Sequence, residues 1–281
     1  MLRRYGARDD LLERLDSVVA AASRTEFYRA RLGGREGVRS LEEFRELPMT
    51  PIAEYRRARL ADAVSLPGEI EWVMGQYAGQ RDDRIAVAEG PEESATRCDL
   101  FVDAVKERFA QGPDAVAAVL APGFRRFFGA ELCTALIRAG VTTHLFIEDG
   151  PRAYELLRRV GPDLVAAPCD DVDEARLPET ARLCVTFGQR RALASRRQLD
   201  LLYVDGLGFL GQSDDCRSYA LNIDEYLFET SPRGRLVVTQ LFNRVQPMIR
   251  IETCVAVGTL DEDAAVLVRA KGSDVADRPK W

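Results

Sequence analysis

The sequence predicts an α/β fold: a helical N-terminal segment, a mostly parallel sheet flanked by helices, and a small antiparallel β appendage at the C-terminal end. Three observations carry this. The first sixty residues repeat apolar positions at helical spacing. The middle alternates short apolar runs with amphipathic segments, the pattern of a parallel sheet whose crossovers are helices. The tail carries short β-type runs separated by turn residues.

Taken in order, Leu11, Leu12, Leu15, Val18, Val19 and Ala22 share one helical face, and Gly33-Gly34 ends the helical stretch Thr25–Leu32. Ser40-Leu-Glu-Glu43 has the form of a capping box. Thr50 followed by Pro51 reads as an N-cap and first helical position for a helix over Ile52–Leu60. Glu71–Met74 reads as a short strand, then Gly75–Gly90 as loop with a strand in Arg84–Ala88. Cys98, Phe101, Val102, Val105 and Phe109 mark an amphipathic helix, Ala115–Ala121 a buried strand, and Phe128 to Ile137 a helix stopped by Gly140. Strands at Val141–Ile147, Leu164–Pro168 and Leu183–Phe187 surround a helix over Pro151–Val160 that Gly161 ends. In the tail, Tyr226–Glu229, Arg235–Gln240 and Met248–Glu252 read as strands, with a turn at Ser231-Pro-Arg-Gly234. The expected division is an α/β core over 1–214 and a β-rich subdomain over 215–281.

Composition excludes several classes. In 281 residues there is no apolar stretch of the ~18 residues a membrane helix needs. The charged start, Met1 to Asp10, lacks a signal core, so a soluble cytoplasmic protein is expected. A net charge of −6 without a basic block argues against nucleic acid. The densest basic run, Arg190, Arg191, Arg196 and Arg197, reads as a solvated helix face. The six cysteines form no CxxC pair and read as small buried hydrophobes. The sole histidine, His144, sits in an apolar run and reads as a core residue rather than a ligand or base; one histidine forbids a His-based metal cluster.

Three stretches carry a family resemblance. Thr25-Glu-Phe-Tyr-Arg-Ala-Arg-Leu32 followed by Val38-Arg-Ser-Leu-Glu-Glu-Phe-Arg-Glu-Leu-Pro-Met-Thr50 is similar to an "SPFYR" helix and an "SLEDL..LP.T" segment. Gly234-Arg-Leu-Val-Val-Thr239 is similar to "GELVVT", and Leu241-Phe-Asn-Arg-Val-Gln-Pro-Met-Ile-Arg250 to "L..RA.PLIRY". In this order they resemble the phenylacetate-CoA ligase type of the adenylate-forming acyl-CoA ligases, over residues 25–275. The resemblance implies ATP, Mg²⁺ and CoA chemistry. That chemistry needs a hydroxyl- and glycine-rich phosphate loop, carboxylates for Mg²⁺ and the ribose, and a lysine from a mobile C-terminal lid.

At those positions the chain departs from the family. The phosphate-loop stretch reads Gly75-Gln-Tyr-Ala-Gly-Gln-Arg-Asp-Asp83, with no Ser or Thr and two aspartates that repel phosphate. Gly188-Gln-Arg-Arg191 replaces "GAEP". After Leu201–Asp205, Gly206 is kept, Asp205 replaces the adenine-stacking aromatic, and Phe209 stands at the Mg²⁺-linked glutamate. Val255 holds the place of the ribose aspartate. Lys271-Gly-Ser-Asp274 resembles the hinge, and the lid expected after it is absent, so the chain reads as truncated. Lys271 and Lys280 lie too close to that hinge to serve as the catalytic lysine. Cys216 matches the first residue of a zinc cluster found in some relatives, but Asn222 stands at its histidine and no CxC follows, so no metal and no cofactor are expected. Gly206-Leu-Gly-Phe-Leu-Gly211 fits G-x-G-x-x-G, yet polar Gln212–Cys216 follows where a helix should open, which argues against a dinucleotide.

What the resemblance leaves is a ligand pocket for a small acyl or aromatic molecule, with Phe124, Phe127, Phe128, Gly129, Gly188, Gly206 and Gly208 as its candidate lining and Arg125 or Arg126 for an anion. The competing reading makes the aromatics core and the arginines surface. The expected function is a pseudoenzyme: a degenerate homologue unable to adenylate, acting as a small-molecule-binding or partner protein in a biosynthetic pathway, with a protein partner or a homodimer as assemblies. Two alternatives stay open. One is ATP-independent acyl transfer, cyclisation or hydrolysis in the same cleft, with Cys169, Cys216 and Asp214 as weak candidates. The other is a ligase complemented by a lid on a separate chain.

Overall fold

The computed structural model describes residues 10–77, 84–108, 114–121, 126–147, 150–167, 173–187, 192–204, 206–261 and 264–270. The architecture is mixed α/β, as expected, and the chain groups into two compact units. The first takes Met1–Thr96, Val204–Leu207 and Ala220–Trp281; the second takes Arg97–Tyr203 and Gly208–Tyr219. The boundary expected between 214 and 215 falls inside the second unit.

The first unit opens with α1 (Leu11–Ser23), which buries Leu11, Leu15, Val18, Val19 and Ala22. The Thr25 hydroxyl caps α2 (Glu26–Arg29) by accepting the Tyr28 N–H at 3.1 Å. Ser40 caps α3 (Leu41–Arg45) by accepting from Glu43 N–H, and the Glu43 carboxylate reaches back to the N–H of Arg39 at 2.7 Å. The box therefore closes one residue earlier than the reciprocal form. Thr50 departs from its expected capping role. It is buried in a two-residue strand, β1 (Thr50–Pro51), paired in parallel with β13 (Ile251–Asp261). Pro51 takes the cap position of α4 (Ile52–Arg57), which stops short of Leu60; α5 (Leu60–Ala63) follows after a break. The pull of the sheet ladder outweighs the local cap signal here.

Gly75, read as the start of a loop, lies in a strand. β2 (Trp72–Tyr77) pairs antiparallel with β3 (Arg84–Glu89), with Gly75 opposite Ala86. Gly75, Gln76 and Tyr77 of the supposed phosphate loop are therefore strand; 78–83 lie outside the described residues. β11 (Tyr226–Thr230), β12 (Arg235–Gln240), β13 and β14 (Val266–Arg269) form consecutive antiparallel pairs. The strand expected from Met248 starts only at Ile251, because Arg250 adopts φ +46 and turns the backbone. Buried hydroxyls tie the helices to this sheet. The Tyr28 OH accepts Ile249 N–H at 3.0 Å, and the Tyr55 OH donates to Pro247 O at 3.3 Å. Burial pushes both phenols well above their ordinary pKa.

The second unit begins within α6 (Pro91–Arg108) and holds the parallel sheet. Its strands are β4 (Val116–Leu120), β5 (Thr142–Phe146), β6 (Leu164–Ala166), β7 (Leu183–Phe187), β8 (Arg197–Val204, to Tyr203 in this unit), β9 (Gly208–Ser213) and the first two residues of β10 (Ser218–Leu221). The order is β10-β9-β8-β7-β6-β4-β5, with β8 through β5 all parallel. Alternate residues on each strand face opposite layers. Ala117, Val119, Leu164, Ala166, Val185, Leu199 and Leu201 pack with α6 and α7 (Arg126–Arg138). Ala118, Leu120, Val165 and Cys184 pack with α8 (Gly150–Val160). Gly140 (φ +82) and Gly161 (φ +61) end α7 and α8 in the left-handed region, as the sequence predicts.

His144 and the basic run depart from expectation in this unit. His144 is exposed rather than core, because β5 ends the sheet order among the described residues. The basic run is not a helix over its described part: Arg197 opens β8, and Arg196 donates to the carbonyls of Pro178 and Ala181 at 2.9 and 2.6 Å. Arg190 and Arg191 lie outside the described residues.

Candidate functional site

Parallel β4, β6, β7 and β8 bring their C-terminal ends to one edge of the second unit, the edge at which open α/β sheets bind ligands. Several residues expected there fall outside the described set: Phe124, Arg125, Cys169, Gly188 and Asp205. Phe127 and Phe128 lie in the first turn of α7, with side chains outside that set, as is that of Arg126. Gly129 follows them and is buried. A Cβ there would overlap the Cβ of Ala121 and lie 3.3 Å from Leu145 Cδ1. Gly129 thus lets α7 lie against the end of β4. Gly129→Ala gains up to ~1 kcal/mol of helix propensity, but the clash is with a methyl next to backbone and cannot rotate away. A net loss of about 1–3 kcal/mol in urea unfolding is expected; a neutral or stabilising result would refute this close approach.

One turn beyond those aromatics, Glu131 receives two donors. Arg97 Nη1 of α6 lies 3.4 Å from Oε1, and the Tyr203 hydroxyl of β8 donates to Oε2 at 3.1 Å. The Arg97 and Glu131 side chains are both buried. Beneath them Phe101 stacks on Phe209 with centroids 5.0 Å apart. On the opposite sheet face, Asp200 is fully buried and takes the hydroxyls of Thr186 and Tyr219, each at 2.5 Å. Gln198 donates to Thr186 Oγ1 at 2.8 Å. Sequence reading missed both clusters. The usable signal was a carboxylate at an inward position of an apolar strand, Leu199-Asp200-Leu201. Chemically, these are carboxylates held by donors, buried too deeply to meet a reactant as they stand.

Gly206 and Gly208 both adopt positive φ, +89 and +91, values an L-residue resists. Gly206 and Leu207 make a turn in the first unit, where Leu207 O accepts from the Tyr226 hydroxyl at 2.9 Å and from Gln240 Nε2 at 3.0 Å. Gly208 opens β9 in the second unit. The G-x-G-x-x-G run therefore leads into a strand, not a helix, and Gln212 and Ser213, read as loop, complete that strand. Phe209 is 2% exposed, its ring within the α6–α7 core. Val255 lies within β13 and is half-buried. Among the weak catalytic candidates, Cys216 is buried with φ +60 and Asp214 is exposed. Cys184 is also buried, which pushes its thiol up to about 12 and keeps it protonated at neutral pH.

No model of a known protein family matches this sequence, and no curated protein does. Solved structures do. An open conformation of 2-hydroxyisobutyryl-CoA ligase in complex with 2-HIB-AMP and CoA superposes with a TM-score of 0.75 at 17% identity, covering 95% of this chain and 74% of that one. The same enzyme in its thioesterification state gives 0.72 at 18% identity, covering 93% and 66%. Its postadenylation state with 2-HIB-AMP gives 0.72 at 17%, again covering 93% and 66%. This chain thus spans between about two thirds and three quarters of those structures. No described helix is long and apolar enough to cross a membrane. The chain shares the fold of an acyl-CoA ligase.

Proposed function

We propose that this protein is a relative of the phenylacetate-CoA ligase type of adenylate-forming enzymes that does not adenylate. It acts instead by binding a small acyl or aromatic ligand, or a partner protein, within a biosynthetic pathway. The observation that carries this reading is Phe209. By the resemblance it stands where the Mg²⁺-linked glutamate belongs, and its ring is stacked on Phe101 inside the core. No rotamer change turns that position into a metal ligand. The start of the phosphate-loop stretch supports the same reading, since Gly75–Tyr77 are committed to a strand pair.

Thermal melting with and without ATP·Mg²⁺ tests the proposal. A site with a Kd of about 10 μM, at a hundredfold ligand excess, adds ~2.7 kcal/mol. For a chain of this size that is a rise of roughly 5–10 °C. The expected shift is below about 1 °C, with no pyrophosphate exchange. A rise of several degrees with ATP·Mg²⁺ would overturn the reading, whereas a rise with short acyl or aryl carboxylic acids alone would identify the ligand class.

A further inference from the structure

Glu131 is buried too deeply to meet a ligand itself, but the tyrosine bonded to it is part-exposed. β7 and β8 pair as far as Phe187 and Leu201. Tyr203 therefore stands two residues past the last described rung, at the carboxyl edge of the sheet. Strand alternation puts it on the face of Leu199 and Leu201, packed against the α6–α7 core. Its ring lies edge-on to Phe187 and tilted to Phe101, each with centroids 6.4 Å apart. Two rings and one carboxylate thus fix where the phenol oxygen sits. Charge fixes which way its proton points. Glu131 Oε1 faces the Arg97 guanidinium at 3.4 Å, with the side chains 8% and 3% exposed. Paired with a cation, Glu131 carries its charge and can only accept. The phenol is therefore the donor in the 3.1 Å bond between Tyr203 and Glu131 Oε2. With its one proton committed to Glu131, the phenol oxygen meets any further group only as an acceptor.

We propose that Tyr203 selects the ligand bound at this edge: a small acyl or aryl carboxylic acid carrying a hydroxyl or amino group whose proton the Tyr203 oxygen accepts. Glu131 and Arg97 are positioning residues, since they reach the ligand only through the direction of the phenol proton. The inference rests on the ligand-binding reading above and narrows it. The same arrangement sets what is disfavoured. An ether oxygen in that place brings lone pairs against lone pairs, and an unsubstituted ligand leaves the contact unmade. One hydrogen bond of this kind is worth about 3- to 10-fold in affinity.

Isothermal titration calorimetry with phenylacetate, its ring-hydroxylated isomers and their methoxy counterparts tests it. At least one hydroxyl isomer is expected to bind about 3- to 10-fold tighter than phenylacetate. In Tyr203→Phe that preference should vanish. Glu131→Gln supplies a readout that a merely structural role would not move. Arg97 holds the amide oxygen, the amide NH₂ turns to Tyr203 and donates, and the phenol proton is released to point outward. The methoxy-to-hydroxyl affinity ratio for the matching isomers should then rise about 3- to 10-fold over wild type. Ligand size cancels in that comparison, because the same two compounds are measured on both proteins. Should Glu131→Gln fail to fold by circular dichroism, Tyr203→Phe decides alone. Equal binding of hydroxylated and parent acids, a preference that survives Tyr203→Phe, or an unchanged ratio in folded Glu131→Gln would each overturn the proposal and leave the ligand-binding reading standing. Failure of every acid to bind would overturn the small-ligand reading and the proposal together.

Discussion

Phe209→Glu, which restores the acidic residue that the ligase resemblance places there, is expected to unfold the protein rather than revive nucleotide binding. Phe209 is 2% exposed and stacked on Phe101 in a cluster that also holds Leu132, Leu136, Val185 and Leu201. Losing a buried aromatic costs about 3–5 kcal/mol. A carboxyl at that depth must in addition stay protonated, with its pKa raised by up to ~3–5 units. Each unit up to neutrality adds ~1.4 kcal/mol, so staying protonated at pH 7 costs at most ~4 kcal/mol. The sum is comparable with the whole stability of a domain, ~5–15 kcal/mol. Circular dichroism with urea unfolding should show a collapsed midpoint, whereas Phe209→Leu should cost at most ~1.5 kcal/mol. A folded Phe209→Glu protein that binds ATP·Mg²⁺ would refute the burial argument and the non-adenylating reading together.

Arg250→Ala should be the most damaging change in the first unit. The guanidinium spans two segments far apart in sequence. Its Nε and Nη2 donate to the Glu229 carboxylate at 3.1 and 3.0 Å, and its Nη1 donates to the carbonyls of Arg45 and Leu47. Its own backbone joins the same knot: Arg250 N–H bonds Thr239 Oγ1 at 2.9 Å, and Thr50 N–H bonds Arg250 O at 2.9 Å. Truncation removes this cation from the buried Glu229 carboxylate and this donor from two carbonyls. Breaking a buried pair this way costs about 3–5 kcal/mol. Arg250→Lys should recover only part of that, because an ammonium lacks the planar fork that reaches carboxylate and carbonyls at once. Converting both Arg250 and Glu229 to apolar residues should be milder than either single truncation, since no unpaired charge remains. Urea midpoints of the four variants decide this; a single-truncation loss below 1 kcal/mol would show the clamp to be incidental.

The contrast between Arg250 and His144 illustrates what a linear reading can hold. Arg250 sits in a stretch similar to a ligase motif, but no property of the sequence tells that it clamps carbonyls some two hundred positions away. His144 sits in an apolar run that reads as a strand, correctly, but whether a strand is central or at the edge depends on the sheet order. The candidate site has the same character. Arg97, Glu131 and Tyr203 are separated by 34 and 72 residues, and the packing of α6 and α7 onto β8 brings them together. Thr50 shows a local signal overridden: an N-cap preference is worth about 1 kcal/mol, and the ladder to Ile251 wins.

The sequence by itself determined the alternation of strands and helices, the cap at Ser40, the glycine stops at Gly140 and Gly161, and the residue types standing at the ligase positions. These follow from side-chain periodicity and short-range hydrogen bonding, which act within a few residues. Only the tertiary structure decided that Phe209 is buried, that Asp200 is held between Thr186 and Tyr219, and that β5 ends the sheet order. Each of those is a matter of which distant segments exclude water from one another, and burial of that kind is a property of the assembled sheet.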